Sequence, residues 1–100
     1  MSKTQACIDT LAKARIRVPS ASIWQHYRGG IYAVTGHTID TTNGQARVLY
    51  FRVGGPDYEA DRENGITFAR PVDEWFENGD DGEKRFTLLA DYGVVVTTSD

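Results

Sequence analysis

The chain has a single cysteine, Cys7, only three prolines, and no stretch approaching the roughly 20 apolar residues needed to cross a bilayer. One thiol cannot close an internal disulfide, so the fold must rest on a hydrophobic core, as expected in a reducing cytoplasm. The apolar runs near the N-terminus are too short for a secretory signal, which argues against export and against a membrane anchor. What is there is ordinary for a globular chain: 100 residues, 40% of them hydrophobic, with a net charge of −3. Such a length allows one domain, residues 1–100, burying somewhat over about 60% of its unfolded surface. One modest core fits that size; a deep active-site cleft does not.

Charge is unevenly spread. Residues 1–52 carry seven Lys and Arg against two acids, a balance of +5, whereas residues 53–100 carry four against twelve, a balance of −8. A chain divided in this way can present one basic and one acidic face and steer a charged partner. It can equally place its acids in solvated loops.

The patterning predicts a short N-terminal helix over residues 1–18 followed by strands over 22–98. Ser2 with Gln5 three positions on forms a capping box, Ile8, Leu11, Ala12 and Arg15 keep helical spacing, and Pro19 stops the helix near Arg17. With few large apolar residues, this helix reads as a lid or appendage. Residues 23–27 and 31–39 are β-branched and aromatic-rich around Arg28-Gly29-Gly30, the chemistry of a hairpin, and Asn43-Gly44 before 46–53 signals a second hairpin because both residues tolerate the left-handed region. Gly36 inside the second run suits a bulge. Residues 54–65 are loop chemistry throughout. A short strand over 66–70 leads to Pro71 at the first position of a helical turn near 72–77, ended by Asn78-Gly79 and Asp81-Gly82. Residues 84–90 form another strand, and 93–98 are a last β-branched run of unassigned pairing. Val48 and Tyr50 face one way and Leu49 and Phe51 the other, so both sheet faces are expected to be covered, and Trp75 and Phe76 should anchor the core. The fold class is therefore mainly β: a small barrel or roll of five to six antiparallel strands with a short N-terminal α-helix. Its exposed edge strands invite a homodimer.

Sites for chemistry are sparse. Asp57, Glu59, Asp61 and Glu63 alternate like the first ligands of a calcium loop, but Arg62 stands where glycine is required and Phe68 where the closing glutamate belongs. His26 and His37 lack Cys or His partners at zinc spacing. No nucleophile elbow, zinc-protease helix or phosphate loop occurs, so no metal, cofactor or catalytic residue is assigned. Trp24, Tyr27, Tyr32 and Tyr50 with Arg28, Arg47 and Arg52 supply the ingredients of a single-strand nucleic-acid platform, although an isoelectric point near 5.3 has the wrong sign for tight phosphate binding.

Five short motifs in order carry a resemblance. Trp24-Gln25-His26-Tyr27-Arg28-Gly29, Tyr32-Ala33-Val34-Thr35-Gly36, Val48-Leu49-Tyr50-Phe51-Arg52, residues 70–77 (Arg-Pro-Val-Asp-Glu-Trp-Phe-Glu) and Arg85-Phe86 make the chain resemble a family of small bacterial and phage domains of unknown function. The sequence departs from that family in having Asp40-Thr41-Thr42-Asn43 where members carry a His-(Ser/Thr)-Glu-Thr stretch, and in a longer 54–65 segment. The resemblance implies a small SH3-like barrel and no assigned activity. His26, Tyr27, Arg28, Tyr50 and Arg70 fall on its motif positions and are the candidate ligand-binding surface, in which aromatic faces beside Arg and His orient a ligand. An internal account competes: Arg70 paired with Glu74 or Glu77, His26 satisfying the backbone, Tyr27 and Tyr50 as cross-strand partners.

Three functions are consistent with these readings. The first is a non-enzymatic cytoplasmic binding module for a protein segment or small ligand. The second is a phage-encoded inhibitor whose acidic stretches 57–63 and 73–83 occupy a basic host surface. The third is an enzyme using His26 with Asp73 or Glu74 as base and acid. Binding is the expectation preferred here.

Overall fold

A computed structural model describes residues 2–80 and 82–91. Helix α1 spans Lys3–Arg17, and strands β1 (Ser22–His26), β2 (Ile31–Ile39) and β3 (Ala46–Gly54) follow it. Helix α2 (Tyr58–Glu63), strand β4 (Phe68–Pro71), helix α3 (Val72–Trp75) and strand β5 (Phe86–Asp91) complete the order. The five strands form one antiparallel sheet in the order β4-β3-β2-β1-β5. Asp81 of the expected Asp81-Gly82 turn and the whole 93–98 run lie outside the described residues.

The sheet curls because inward-facing side chains are bulky rings that meet across the concave face. Trp24, Tyr32, Val34, Ala46, Val48, Tyr50 and Phe86 alternate along the strands and are buried together with Trp75 and Val72 of α3. Phe68 from one edge strand and Phe86 from the other both reach Tyr32 and Tyr50, with ring centroids 5.5–6.0 Å apart. Trp75 stacks on Phe86 at 3.9 Å, 8° from parallel, and closes the middle of the roll. Edge-to-face and offset contacts of this kind add to the area burial of the rings. Among the described residues β4 and β5 do not pair with each other, so the architecture is a roll with two sheet edges.

The turn chemistry acts largely where the sequence places it. Gly29 accommodates the first hairpin, in which the Gly29 N–H donates to His26 O at 2.8 Å and the His26 N–H to Gly30 O at 2.7 Å. The pairing of β2 with β3 shifts register between Val34 and Gly36, which is the bulge expected there. The second hairpin forms across Asn43-Gly44 as expected: Asp40 N–H donates to Gln45 O, Gly44 N–H to Asp40 O, and Gly44 (φ 72°) takes the left-handed conformation. A four-residue connection is preferred over a two-residue one because the Asp40 carboxylate organises it, accepting from the Thr42 N–H and from Arg47 Nε at 2.9 Å each. Those bonds, with that of the Thr42 hydroxyl, hold the Asp40 carboxyl down at about 2.

Four expectations are corrected. Segment 54–65 is not loop throughout, because it contains α2, fastened to the sheet by the Asp61–Arg52 ion pair at 2.6 Å. Helix α1 is capped at Ser2 Oγ by the Gln5 N–H and ends at Arg17 as expected, yet its buried face is Ala14 and the adjoining Val18, while Ile8 and Ile16 point outward. Small side chains let the helix lie close against β2 and β3, so it closes one end of the core. Among the described residues the outer sheet face is not fully covered, leaving Phe51 exposed. Phe76 is 46% exposed against 0% for Trp75, since the one-turn helix can direct only one of two consecutive rings inward; Phe76 lies edge-on to Trp24 at 6.2 Å and under the Arg17 guanidinium.

Candidate functional site

Antiparallel registry gathers several polar rings and arginines on the concave face of the sheet. His26 ends β1 opposite Phe86, Tyr32 near the start of β2 faces Arg52 across the pairing, and Tyr50 faces Phe68 on β4. Inward-pointing positions of adjacent strands are neighbours by the period of two, which brings five strands' worth of side chains to one place.

His26 is half-buried. Its ring lies 4.5 Å from Tyr27, 5.1 Å from Phe86 and 6.4 Å from Tyr32. Its Nδ1 accepts the Arg28 N–H at 3.2 Å, which assigns the neutral ring's proton to Nε2. Burial, followed by the positive charge of Arg85, Arg70, Arg28 and Arg52, pushes its pKa below 6.5. The guanidinium of Arg52 sits over Tyr32 at 5.0 Å, and Arg70 Nε donates to the Tyr50 hydroxyl over a long 3.4 Å. Burial raises the Tyr32 phenol despite Arg52 beside it. Arg28 lies over the Tyr27 ring at 5.3 Å and pairs with Asp80 at 3.1 Å, and the Tyr27 hydroxyl accepts the Asp80 N–H. An open cleft of about 360 Å³ adjoins this group, lined by His26, Tyr27, Gly29, Lys84 and Thr87 among others.

The five residues singled out from the sequence thus fall into two contacting sets, His26-Tyr27-Arg28 and Tyr50-Arg70, joined through Tyr32. Tyr50 is only 6% exposed, so its ring belongs to the core and only its hydroxyl, through Arg70, serves the polar end. Arg70 reaches Glu74 at 3.5 Å, the internal pairing anticipated for it. Tyr32, Arg52 and Arg85 were not among the candidates for this surface. Tyr32 and Arg52 are legible only from the strand register, which places them opposite each other. Arg85 stands in the last matching motif, and its peptide O accepts the Tyr27 N–H at 3.0 Å.

Several sequence readings meet the geometry here. Trp24, Tyr32 and Tyr50 fill the core and offer no exposed faces for base stacking, leaving Tyr27 alone of that set half-exposed. Four acids of the two acidic stretches pair with arginines: Asp61 with Arg52, Asp73 with Arg17, Glu74 with Arg70 and Asp80 with Arg28. Neither Asp73 nor Glu74 hydrogen-bonds His26; their partners are these arginines. No group of three or more His, Cys, Asp or Glu that could hold a metal ion occurs among the described residues, and no helix among them is long and apolar enough to cross a membrane.

His37 lies outside the site. Its Nε2–H donates to Val18 O at 2.7 Å, tying β2 to the end of α1, and burial keeps its pKa below 6.5. With both imidazoles depressed in the folded state, the unfolded chain binds more protons just below pH 6.5, so stability is full above that value and declines as pH falls toward the folded pKa values. Urea midpoints should therefore be lower at pH 5.5 than at pH 7.5, above most carboxylate titration, and the His26→Gln/His37→Gln double variant should show a flatter profile. Ring signals titrating at or above pH 6.5 would contradict this.

Comparison with known proteins agrees with the fold and narrows the identity to a family. No curated protein matches the chain. The crystal structure of a DUF1653 protein from Bordetella bronchiseptica is similar, with a TM-score of 0.54 and 22% identity, over 70% of this chain and 86% of that one. The family model for DUF1653, described as a protein of unknown function, matches residues 22–88, from the first residue of β1 into β5 and leaving α1 outside. The chain belongs to the DUF1653 family.

Proposed function

We propose that this domain is a non-enzymatic binding module, working in the cytoplasm, that recognises a protein segment or a small ligand at the His26-Tyr27-Arg70 end of the roll. The observation that carries the reading is that two half-buried rings, His26 and Tyr27, line an open cleft of about 360 Å³, with Arg28 over Tyr27 and with Tyr32, Tyr50, Arg52 and Arg70 linked to His26 through ring and hydrogen-bond contacts. A few oriented polar groups set among aromatic walls are what a recognition site needs. Strand order supports an SH3-like roll as its scaffold, with a meander, a helical turn before the last strand, and that strand returning to the first. The pairing of Asp61, Asp73, Glu74 and Asp80 with arginines favours this reading over an inhibitor that docks by those acids.

The test is chemical-shift mapping of the labelled protein against a fragment set and a peptide library. Binders should move the amides of His26, Tyr27 and Arg70 together and leave α1 unmoved. If no fragment or peptide moves those amides, the reading fails.

A further inference from the structure

We infer that α1 is a self-association element: its outward face pairs antiparallel with the same face of a second copy of this chain, about a two-fold axis at Ala12 that sets Ile8 of each copy beside Ile16 of the other.

A helix that serves only its own core turns its large apolar side chains inward. Helix α1 does the reverse. Its buried contacts are Ala14 and, just past its end, Val18, whereas Ile8 is 52% and Ile16 80% exposed, with Ala12 exposed between them. Spaced at i, i+4 and i+8, these three form one ridge on the side turned away from the sheet. The helix also lies outside residues 22–88, which the family model matches, so the ridge belongs to an element added to the family's roll.

The pattern along the ridge selects a second copy as the occupant. From either end it reads large, small, large, which is what a self-complementary two-fold contact requires. A half turn about Ala12 exchanges positions 8 and 16, so the isoleucines lie side by side and the two alanines meet at the crossing, where their small size lets the helix axes approach. Ridges of four-residue spacing pack into one another at a steep crossing angle, the commonest arrangement of helix pairs. The same half turn brings like flanks of the two helices together. Asp9 and the exposed Lys13 share one flank, so the Asp9 carboxylate of each copy comes alongside the Lys13 ammonium of the other, and Gln5 Nε2 donates to Asp9 Oδ1 at 3.0 Å within the helix. Such rim charges set register more than affinity. A contact running from Ile8 to Ile16 falls short of the roughly 1,000 Å² that a stable interface needs, so the pairing is weak and depends on concentration. Strand β4, one of the sheet edges, is a poorer candidate, because it has four residues and ends in Pro71, which has no N–H to give. No residue of α1 lines the cleft beside His26, so this pairing stands or falls apart from the binding reading above.

The test is disulfide trapping on the full chain, with Cys7→Ser removing the native thiol. A crossing at Ala12 puts the two Cα atoms within the roughly 4.4–6.8 Å that a disulfide spans. On mild oxidation Ala12→Cys should therefore give a covalent dimer about tenfold faster than Glu59→Cys, an exposed position on α2. Adding Ile16→Lys should slow trapping about tenfold or more, and, since that side chain projects into solvent, leave the urea midpoint unchanged. Asp9→Lys should slow it through like charges at Lys13, and Asp9→Lys/Lys13→Asp should restore it. In sedimentation the unmodified protein should gain mass with concentration while Ile16→Lys stays a monomer. Trapping at Ala12 no faster than at Glu59, or undiminished by Ile16→Lys, overturns the pairing, as does an unmodified protein that stays a monomer at the highest concentration. A charge exchange that fails to restore trapping overturns the antiparallel register. Faster trapping at Leu88→Cys than at Ala12→Cys would place self-association on β5 and overturn the assignment to α1.

Discussion

Trp75→Ala should destabilise the protein by about 3–5 kcal/mol, the usual cost of truncating a fully buried aromatic in a core that cannot collapse around the gap. Trp75 is 0% exposed and meets three strands at once from its place on α3: it stacks on Phe86 of β5, lies edge-to-face with Trp24 of β1 at 5.6 Å, and with Tyr50 of β3 at 4.9 Å. Among the described residues no other ring joins these three strands to the helical turn. Since domains of this size are stable by about 5–15 kcal/mol, the loss takes a large part of the total. The neighbouring Phe76→Ala should cost about 1 kcal/mol or less, because that ring is 46% exposed and loses only an edge contact and the Arg17 cation–π interaction. Urea denaturation of the two variants checks both. Comparable losses at the two positions would mean that Phe76 is as deeply packed as Trp75, contrary to the geometry of α3.

The contrast between these adjacent residues shows what sequence could and could not disclose. Glycine turns declared the two hairpins and the Gly36 bulge, because the residue type itself limits the backbone. Ser2 and Pro19 likewise bounded α1. Which face of that helix is buried was not readable: Ile8 suggested one stripe, but close approach to β2 and β3 demanded the small Ala14, and apolar spacing does not report helix-to-sheet distance. Helix α2 was hidden for another reason. It has six residues, buries none of them, and starts after Asp57 at φ 65° without a side-chain cap, so no local signal announces it. In the site, the contiguous His26-Tyr27-Arg28 could be picked out along the chain. The Tyr32–Arg52 pair could not, because its members meet only after β2 and β3 have found their register.

What holds α2 in place is therefore tertiary, and it can be removed with one atom change. Asp61→Asn should cost about 3 kcal/mol, since Arg52 and Asp61 retain only 15% and 12% side-chain exposure and the variant leaves a largely buried guanidinium without its counter-charge. Arg52 would keep its bond to Pro56 O and its place over Tyr32, which offsets part of the loss but supplies no negative charge. The isolated helix is far too short to persist without this anchor. Amide exchange should therefore quicken across Tyr58–Glu63 while β1 and β5 remain protected. Replacing both partners, Arg52→Met with Asp61→Leu, removes the buried charge with the pair and should recover much of the stability lost in Asp61→Asn. A double variant no more stable than the single one would show that the charges themselves, and not the cost of orphaning one of them, hold the segment. On either account the native protein should respond little to salt, because a pair this buried is poorly screened.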